Sequence, residues 1–144
     1  MAKSVSDEPV SGAETDDRSR HILLVEDHPV VLNATRSLLE AHGYRVTSAT
    51  SLAEAIERTR DHPDLDLLIT DYHLAGTGTG KQVVSAVRAM YGSDLKAIVI
   101  TGDTGSAVHQ FDGDSGLCWL AKPVNPAQLL TLLKHLLVRC PIRN

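Results

Sequence analysis

Four short apolar runs each stop at a polar group, and this repetition constrains the fold more than any other feature. Ile22-Leu23-Leu24-Val25 is followed by Glu26 and Asp27, and Leu67-Leu68-Ile69-Thr70 by Asp71. Ala97-Ile98-Val99-Ile100 is followed by Thr101, and Leu117-Cys118-Trp119-Leu120-Ala121 by Lys122. Runs of this length, apolar on both sides of the chain direction, suit strands buried on both faces of a parallel sheet. Parallel strands bring their carboxyl ends to one edge, where open α/β sheets hold their ligands. The pattern therefore predicts a site as well as a fold.

The segments between the runs have helical period. Val31, Ala34, Leu38 and Ala41 recur at three to four residues before Gly43, predicting a helix over about 30–42 with glycine as its C-terminal cap. Tyr44 to Ala49 reads as a second strand. Ser51 with Glu54 three residues later is a capping-box pattern, opening a helix that ends near Asp61-His62-Pro63. A third helix is expected over about 80–90. A last one is expected over about 126–138, with Leu129, Leu133 and Leu136 on one face and Leu130 and Leu137 beside it. Between them, 102–116 is broken by Gly102, Gly105, Gly113 and Gly116, so a fourth helix there should be short or mobile. Five such βα units imply a parallel sheet covered by helices on both faces, with right-handed crossovers.

A chain of 144 residues with 42% hydrophobic content supplies one core. Residues 1–20 lack Leu, Ile and aromatics and are expected to form a disordered tail or linker, leaving 21–144 as the domain. The net charge of −4 argues against a nucleic-acid-binding face, which needs clustered Lys and Arg. No apolar stretch approaches the roughly 20 residues that span a bilayer, so a cytoplasmic location without membrane contact is expected. Cys118 and Cys140 have no metal spacing and read as free structural thiols. The seven histidines show no metal spacing either and read as surface or loop groups. The glycine-rich stretch from Ala75 to Lys81 lies where a phosphate loop would lie, but Ala75 and Gln82 break the nucleotide pattern, leaving a flexible βα loop.

The residues at the strand ends suit Mg²⁺ and a phosphoryl group. Mg²⁺ prefers oxygen ligands and keeps several waters, so Asp27 and Asp71 would bind it directly and Glu26 through a water. The backbone carbonyl of His73, two residues beyond Asp71, is the expected third protein ligand. An aspartate carboxylate can attack phosphorus to form an acyl phosphate, with catalysis by positioning and charge neutralisation. Lys122 would pair with the phosphoryl oxygens and Thr101 would donate to one of them.

Leu24-Val25-Glu26-Asp27, Ile69-Thr70-Asp71-Tyr72-His73-Leu74, Ile100-Thr101-Gly102-Asp103 and Lys122-Pro123 together resemble the receiver domains of two-component response regulators. The motif wording is most similar to receivers of hybrid sensor histidine kinases. The resemblance implies a flavodoxin-like, doubly wound α/β fold, a (βα)5 three-layer sandwich with a parallel sheet of order 2-1-3-4-5. It also implies that Asp71 takes phosphate from a histidine kinase or a histidine phosphotransfer domain. By motif, Glu26 and Asp27 become the metal pair, Thr101 the switch hydroxyl, Lys122 the phosphate-pairing lysine and Trp119 the switch aromatic. Output would pass to a downstream protein, or to a second copy in a homodimer, through the fourth helix, fifth strand and fifth helix. Catalysis would be limited to the domain's own phosphorylation and dephosphorylation. Two other readings are a phosphatase of the haloacid dehalogenase type, in which a second Asp would stand at His73, and an interaction module that is not phosphorylated.

Overall fold

The computed structural model describes residues 20–74, 78–102 and 116–137. Residues 1–19 of the expected tail, 103–115 of the expected fourth-helix segment, Cys140 and the centre of the glycine-rich stretch lie outside these residues.

The main sheet is built from β1 (His21–Val25), β2 (Arg45–Ala49), β3 (Leu67–Asp71), β6 (Lys96–Thr101) and β7 (Leu117–Ala121). All its pairings are parallel, in the spatial order β2-β1-β3-β6-β7. Counted over these five strands alone, the order is the expected 2-1-3-4-5. Two further strands, β4 (His73–Leu74) and β5 (Gly78–Thr79), pair antiparallel outside the sheet. The helices are α1 (Pro29–Ala41), α2 (Leu52–Asp61), α3 (Gly80–Tyr91) and α4 (Pro126–Leu136).

Strand alternation divides the core in two. Leu23, Val25, Leu68, Ala97 and Val99 meet α2 and α3 through Ala55, Val83, Val84 and Val87. Ile22, Leu24, Leu67, Ile69, Ile98 and Ile100 meet α1 and α4 through Leu32, Leu39, Leu129, Leu133 and Leu136. Every residue of β1 and β3 is buried, as strands covered on both faces must be.

The helix starts follow local chemistry. The Ser51 hydroxyl accepts from the Glu54 amide, but the Glu54 carboxylate turns to the Thr50 amide and hydroxyl at 2.7 and 2.8 Å, so the capping box is only half formed. A complete box sits instead at α3, where Thr79 and Gln82 exchange side-chain and backbone bonds. Asn125 caps α4 through the Gln128 amide, and Gly43 ends α1 with φ +91°.

The first helix is α1, 29–41 against the expected 30–42; within it Leu32 and Leu39 are buried, while Val31, Ala34 and Ala41 are exposed. Of the loop expected over 75–81, Gly78 and Thr79 pair with β4, and α3 begins at Gly80 with a capped start. One expectation needs correction. His21 is not a surface group, being buried at the first position of β1.

Candidate functional site

Asp71 is the last residue of β3 and only 4% exposed. Glu26, the residue after β1, is also buried, and Asp27 is partly so. One carboxylate oxygen from each of Glu26, Asp27 and Asp71 lies within 4.8 Å of the others. Three like charges at that separation are costly unless a cation joins them. Lys122 supplies one, its Nζ donating to Asp71 Oδ2 at 2.9 Å from the turn after β7.

Backbone bonds at the ends of neighbouring strands hold these side chains in place. The Glu26 amide donates to Ala49 O, the Tyr72 amide to Ile100 O and the Lys122 amide to Thr101 O, at 2.8–3.0 Å. Thr101, fully buried at the end of β6, thus shares a backbone bond with the lysine that reaches Asp71. The Lys122–Pro123 peptide bond is cis. Glu26 Oε2 accepts the His28 amide at 3.1 Å, which serves a helix start where the His28 side chain makes no cap. Burial pushes the Glu26 carboxyl above its ordinary range; the Asp71 and Asp27 charges push the same way, against the His28 amide and Lys122.

The strand ends thus bring Glu26, Asp27, Asp71 and Lys122 together. The donor set is all oxygen and net negative, which suits a hard cation such as Mg²⁺. His73 stands two residues on, in β4, its imidazole exposed and edge-on to Tyr72 rather than within the acidic cluster. Trp119 pairs with Val99 in register, packs partly buried against the α2–α3 side of the core and lies 6.0 Å from the Tyr72 ring. Alternation puts it on the same face as Thr101, one pleat away.

Two residues that shape the site escaped the sequence reading. Gly80 opens α3 with its amide on Tyr72 O at 2.6 Å, and a Cβ there would stand 2.7 Å from Asp71 O and 2.9 Å from Tyr72 Cα. Helix and strand meet there at a distance only glycine permits. Thr70 is fully buried and its hydroxyl donates to the Asp71 carbonyl at 2.9 Å. The last glycine of the rich stretch was a visible signal for the first; nothing in the sequence marked the second.

A cleft of about 680 Å³ opens onto Glu26, Asp71 and Lys122 between α1 and the segment leading into α4. Its α1 wall is the stripe Val30, Val31, Ala34 and Leu38, with Val30 71% exposed. Helical period in the sequence therefore marked a real apolar face that borders the site, with Leu38 also packing on the core.

The family model for the response regulator receiver domain matches residues 22–134. The two-component response regulator PprB of Pseudomonas aeruginosa is 31% identical over 123 residues, covering 82% of this chain and 44% of that protein. A response regulator receiver protein of Sinorhizobium medicae superposes with a TM-score of 0.73 at 28% identity, covering 88% of this chain and 98% of its own. The receiver domain of a sensor histidine kinase from Pseudomonas aeruginosa PAO1, crystallised with a magnesium ion coordinated in its active-site cleft, superposes with a TM-score of 0.69 at 27% identity. It covers 81% of this chain and 96% of its own. The chain spans about half the length of the curated relatives it matches.

Proposed function

Because the chain belongs to the receiver-domain family of two-component response regulators, we propose that Asp71 is its phosphoacceptor and that a phosphohistidine, on a histidine kinase or a histidine phosphotransfer domain, is the donor. The observation that carries this is the ion pair of Lys122 with Asp71 at 2.9 Å inside a cluster of three carboxylates at the carboxyl edge of the sheet. An Asp71 oxygen attacks phosphorus, the P–N bond of the donor breaks, and the imidazole leaves with the electron pair. Lys122 then shifts from the carboxylate to the phosphoryl oxygens, and Thr101 donates a hydrogen bond to one of them. Glu26, Asp27, Asp71 and the His73 carbonyl would hold Mg²⁺, which supplies neutralisation of charge on the transferring group. The apolar α1 wall of the cleft suits a donor that presents its histidine on a helix, since Val30, Val31, Ala34 and Leu38 offer it an unfilled face.

The domain is residues 21–144, with 1–20 a tail or linker, and it works in the cytoplasm; among the described residues no helix is long and apolar enough to cross a membrane. Its catalysis is confined to its own phosphorylation and dephosphorylation. Arrival of the phosphoryl group draws Thr101 inward, Trp119 turns towards the space vacated, and a partner surface changes. That surface comprises β7, α4 and the fourth helix expected over 102–116, and it meets a downstream protein or a second copy. The phosphatase reading loses support at His73, which stands where those enzymes would carry a second Asp as general acid.

Incubation with Mg²⁺ and a small phosphodonor, followed by intact mass and peptide mapping, tests the assignment. One base-labile phosphoryl group on Asp71, absent without a divalent cation, is expected. Labelling of Asp71→Asn to the wild-type extent would overturn it.

A further inference from the structure

At the opposite edge of the sheet, three groups from two segments distant in sequence converge. We propose that His21, His62 and Asp64 form a binding site for a divalent transition ion of the zinc type. One ring nitrogen from each histidine and one Asp64 oxygen lie within 4.8 Å of one another. His21 Nδ1 is 3.0 Å from Asp64 Oδ1, and two metal–ligand bonds of about 2.1 Å to donors so spaced subtend about 90°, a cis pair of a six-coordinate ion. The His62 ring stands edge-on to His21 with centroids 5.3 Å apart, and waters complete the sphere.

The surroundings are those of a held ligand set. His21 Nε2 lies 2.6 Å from Thr47 Oγ1. With the ion bound, Nε2–H donates to that hydroxyl and leaves the Nδ1 lone pair for the metal, as second-shell partners of ligating histidines do. The loop carrying the other two ligands is fixed at several points. The His21 amide donates to Asp66 Oδ2 at 2.8 Å and the Asp66 amide to His21 O at 2.7 Å. The Tyr91 hydroxyl donates to the His62 carbonyl and accepts the Leu65 amide. Arg45 Nη1 holds the second Asp64 oxygen at 3.0 Å. Its guanidinium opposes a dication, but the side chain is half exposed and screened, while Asp66 adds negative charge at the His21 backbone amide.

Two imidazoles and one carboxylate favour zinc over magnesium, whereas the three carboxylates around Asp71 favour magnesium. The two ends of one sheet should therefore sort the two ions. Binding here would clamp the segment between α2 and β3 onto the start of β1, about one strand length from the phosphoacceptor. This inference does not rest on the receiver reading.

Equilibrium dialysis of untagged protein with Zn²⁺ in excess Mg²⁺ tests it, with far-UV circular dichroism to confirm folding. His21→Ala removes a buried ring and can unfold the chain, so His62→Ala and Asp64→Asn carry the test. One Zn²⁺ per chain is expected, with affinity falling more than about tenfold in both variants, since even partners outside the coordination sphere are worth that much. Asp71→Asn and Cys118→Ser should bind as wild type does. Absence of Zn²⁺ binding, or equal affinity in wild type, His62→Ala and Asp64→Asn, would overturn the site.

Discussion

Replacing Glu26 by Gln should make the metal-free protein more stable and less responsive to Mg²⁺. The amide keeps the shape and an acceptor for the His28 amide, 3.1 Å away, while removing one of three clustered negative charges. Two unit charges 4.8 Å apart repel by about 3.5 kcal/mol at an effective dielectric near 20. Glu26 faces two such neighbours, Asp27 and Asp71, and one opposing ammonium, Lys122, so roughly one repulsive pair is left uncompensated. Relaxation and solvent at the partly exposed Asp27 reduce this to about 1–2 kcal/mol, or a rise in Tm of about 4–8 °C for a domain of this size.

The sign of the pH dependence follows from the direction in which Glu26 is shifted. Its folded value lies above the ordinary 4.5, so between the two the folded state holds the proton more tightly than the unfolded state. Stability from this group therefore falls as pH rises through that window and is level above it. At ten times its dissociation constant Mg²⁺ adds about 1.4 kcal/mol to wild type; if losing Glu26 weakens binding about tenfold or more, the same Mg²⁺ adds about 0.4 kcal/mol or less to the variant. Thermal and urea denaturation of both proteins, with chelator and with Mg²⁺, at neutral and mildly acidic pH, measure all three effects. A variant no more stable than wild type in chelator, with an undiminished Mg²⁺ increment, would refute the reasoning.

Lys122→Ala strands a buried carboxylate whose partner is 41% exposed, so a loss of about 1–2 kcal/mol is expected in chelator, with labelling of Asp71 slowed about a hundredfold; urea melts and phosphodonor kinetics check it. Gly80→Ala places a Cβ 2.7 Å from a backbone oxygen that cannot turn aside, costing about 1–3 kcal/mol, and an unchanged Tm would show that α3 shifts freely. Beryllofluoride with Mg²⁺ should change the emission of Trp119, the only tryptophan, and Thr101→Ala should abolish the change. Identical emission and acrylamide quenching in wild type, with beryllofluoride binding confirmed, would leave Trp119 as fixed core packing.

What was legible in the sequence is what repetition encodes. Glu26, Asp71, Thr101 and Lys122 each follow an apolar run, and parallel pairing turns that serial position into one edge in space. The same periodic logic located α1 but left its orientation open. Val31, Ala34 and Leu38 do form an apolar face, but period alone does not say whether a face meets the core or a cleft, and Leu32 and Leu39 took the core side. Gly80 was hidden because its role is an approach distance of α3 to the Asp71 backbone, a quantity that appears only when both elements are placed. Thr70 was hidden because a hydroxyl inside an apolar run looks like another β-branched strand residue until its partner is seen.

The histidines show the converse limit. His21, His62 and Asp64 have no metal spacing along the chain, because groups drawn from a strand start and from a loop beyond three further elements have no fixed sequence interval. Their convergence has the same geometric origin as that of the acidic cluster. The segment before β3 must return to the amino edge of the sheet to enter parallel to β1, so it passes beside His21, as the pairing of Ile22 with Leu67 requires. A parallel sheet thus gathers polar groups at both edges. At the carboxyl edge each strand contributes its terminal side chain directly, and the order can be read from the sequence. At the amino edge a strand-start residue, His21, meets the loop residues His62 and Asp64, whose reach depends on helix length and turn geometry and so leaves no order along the chain.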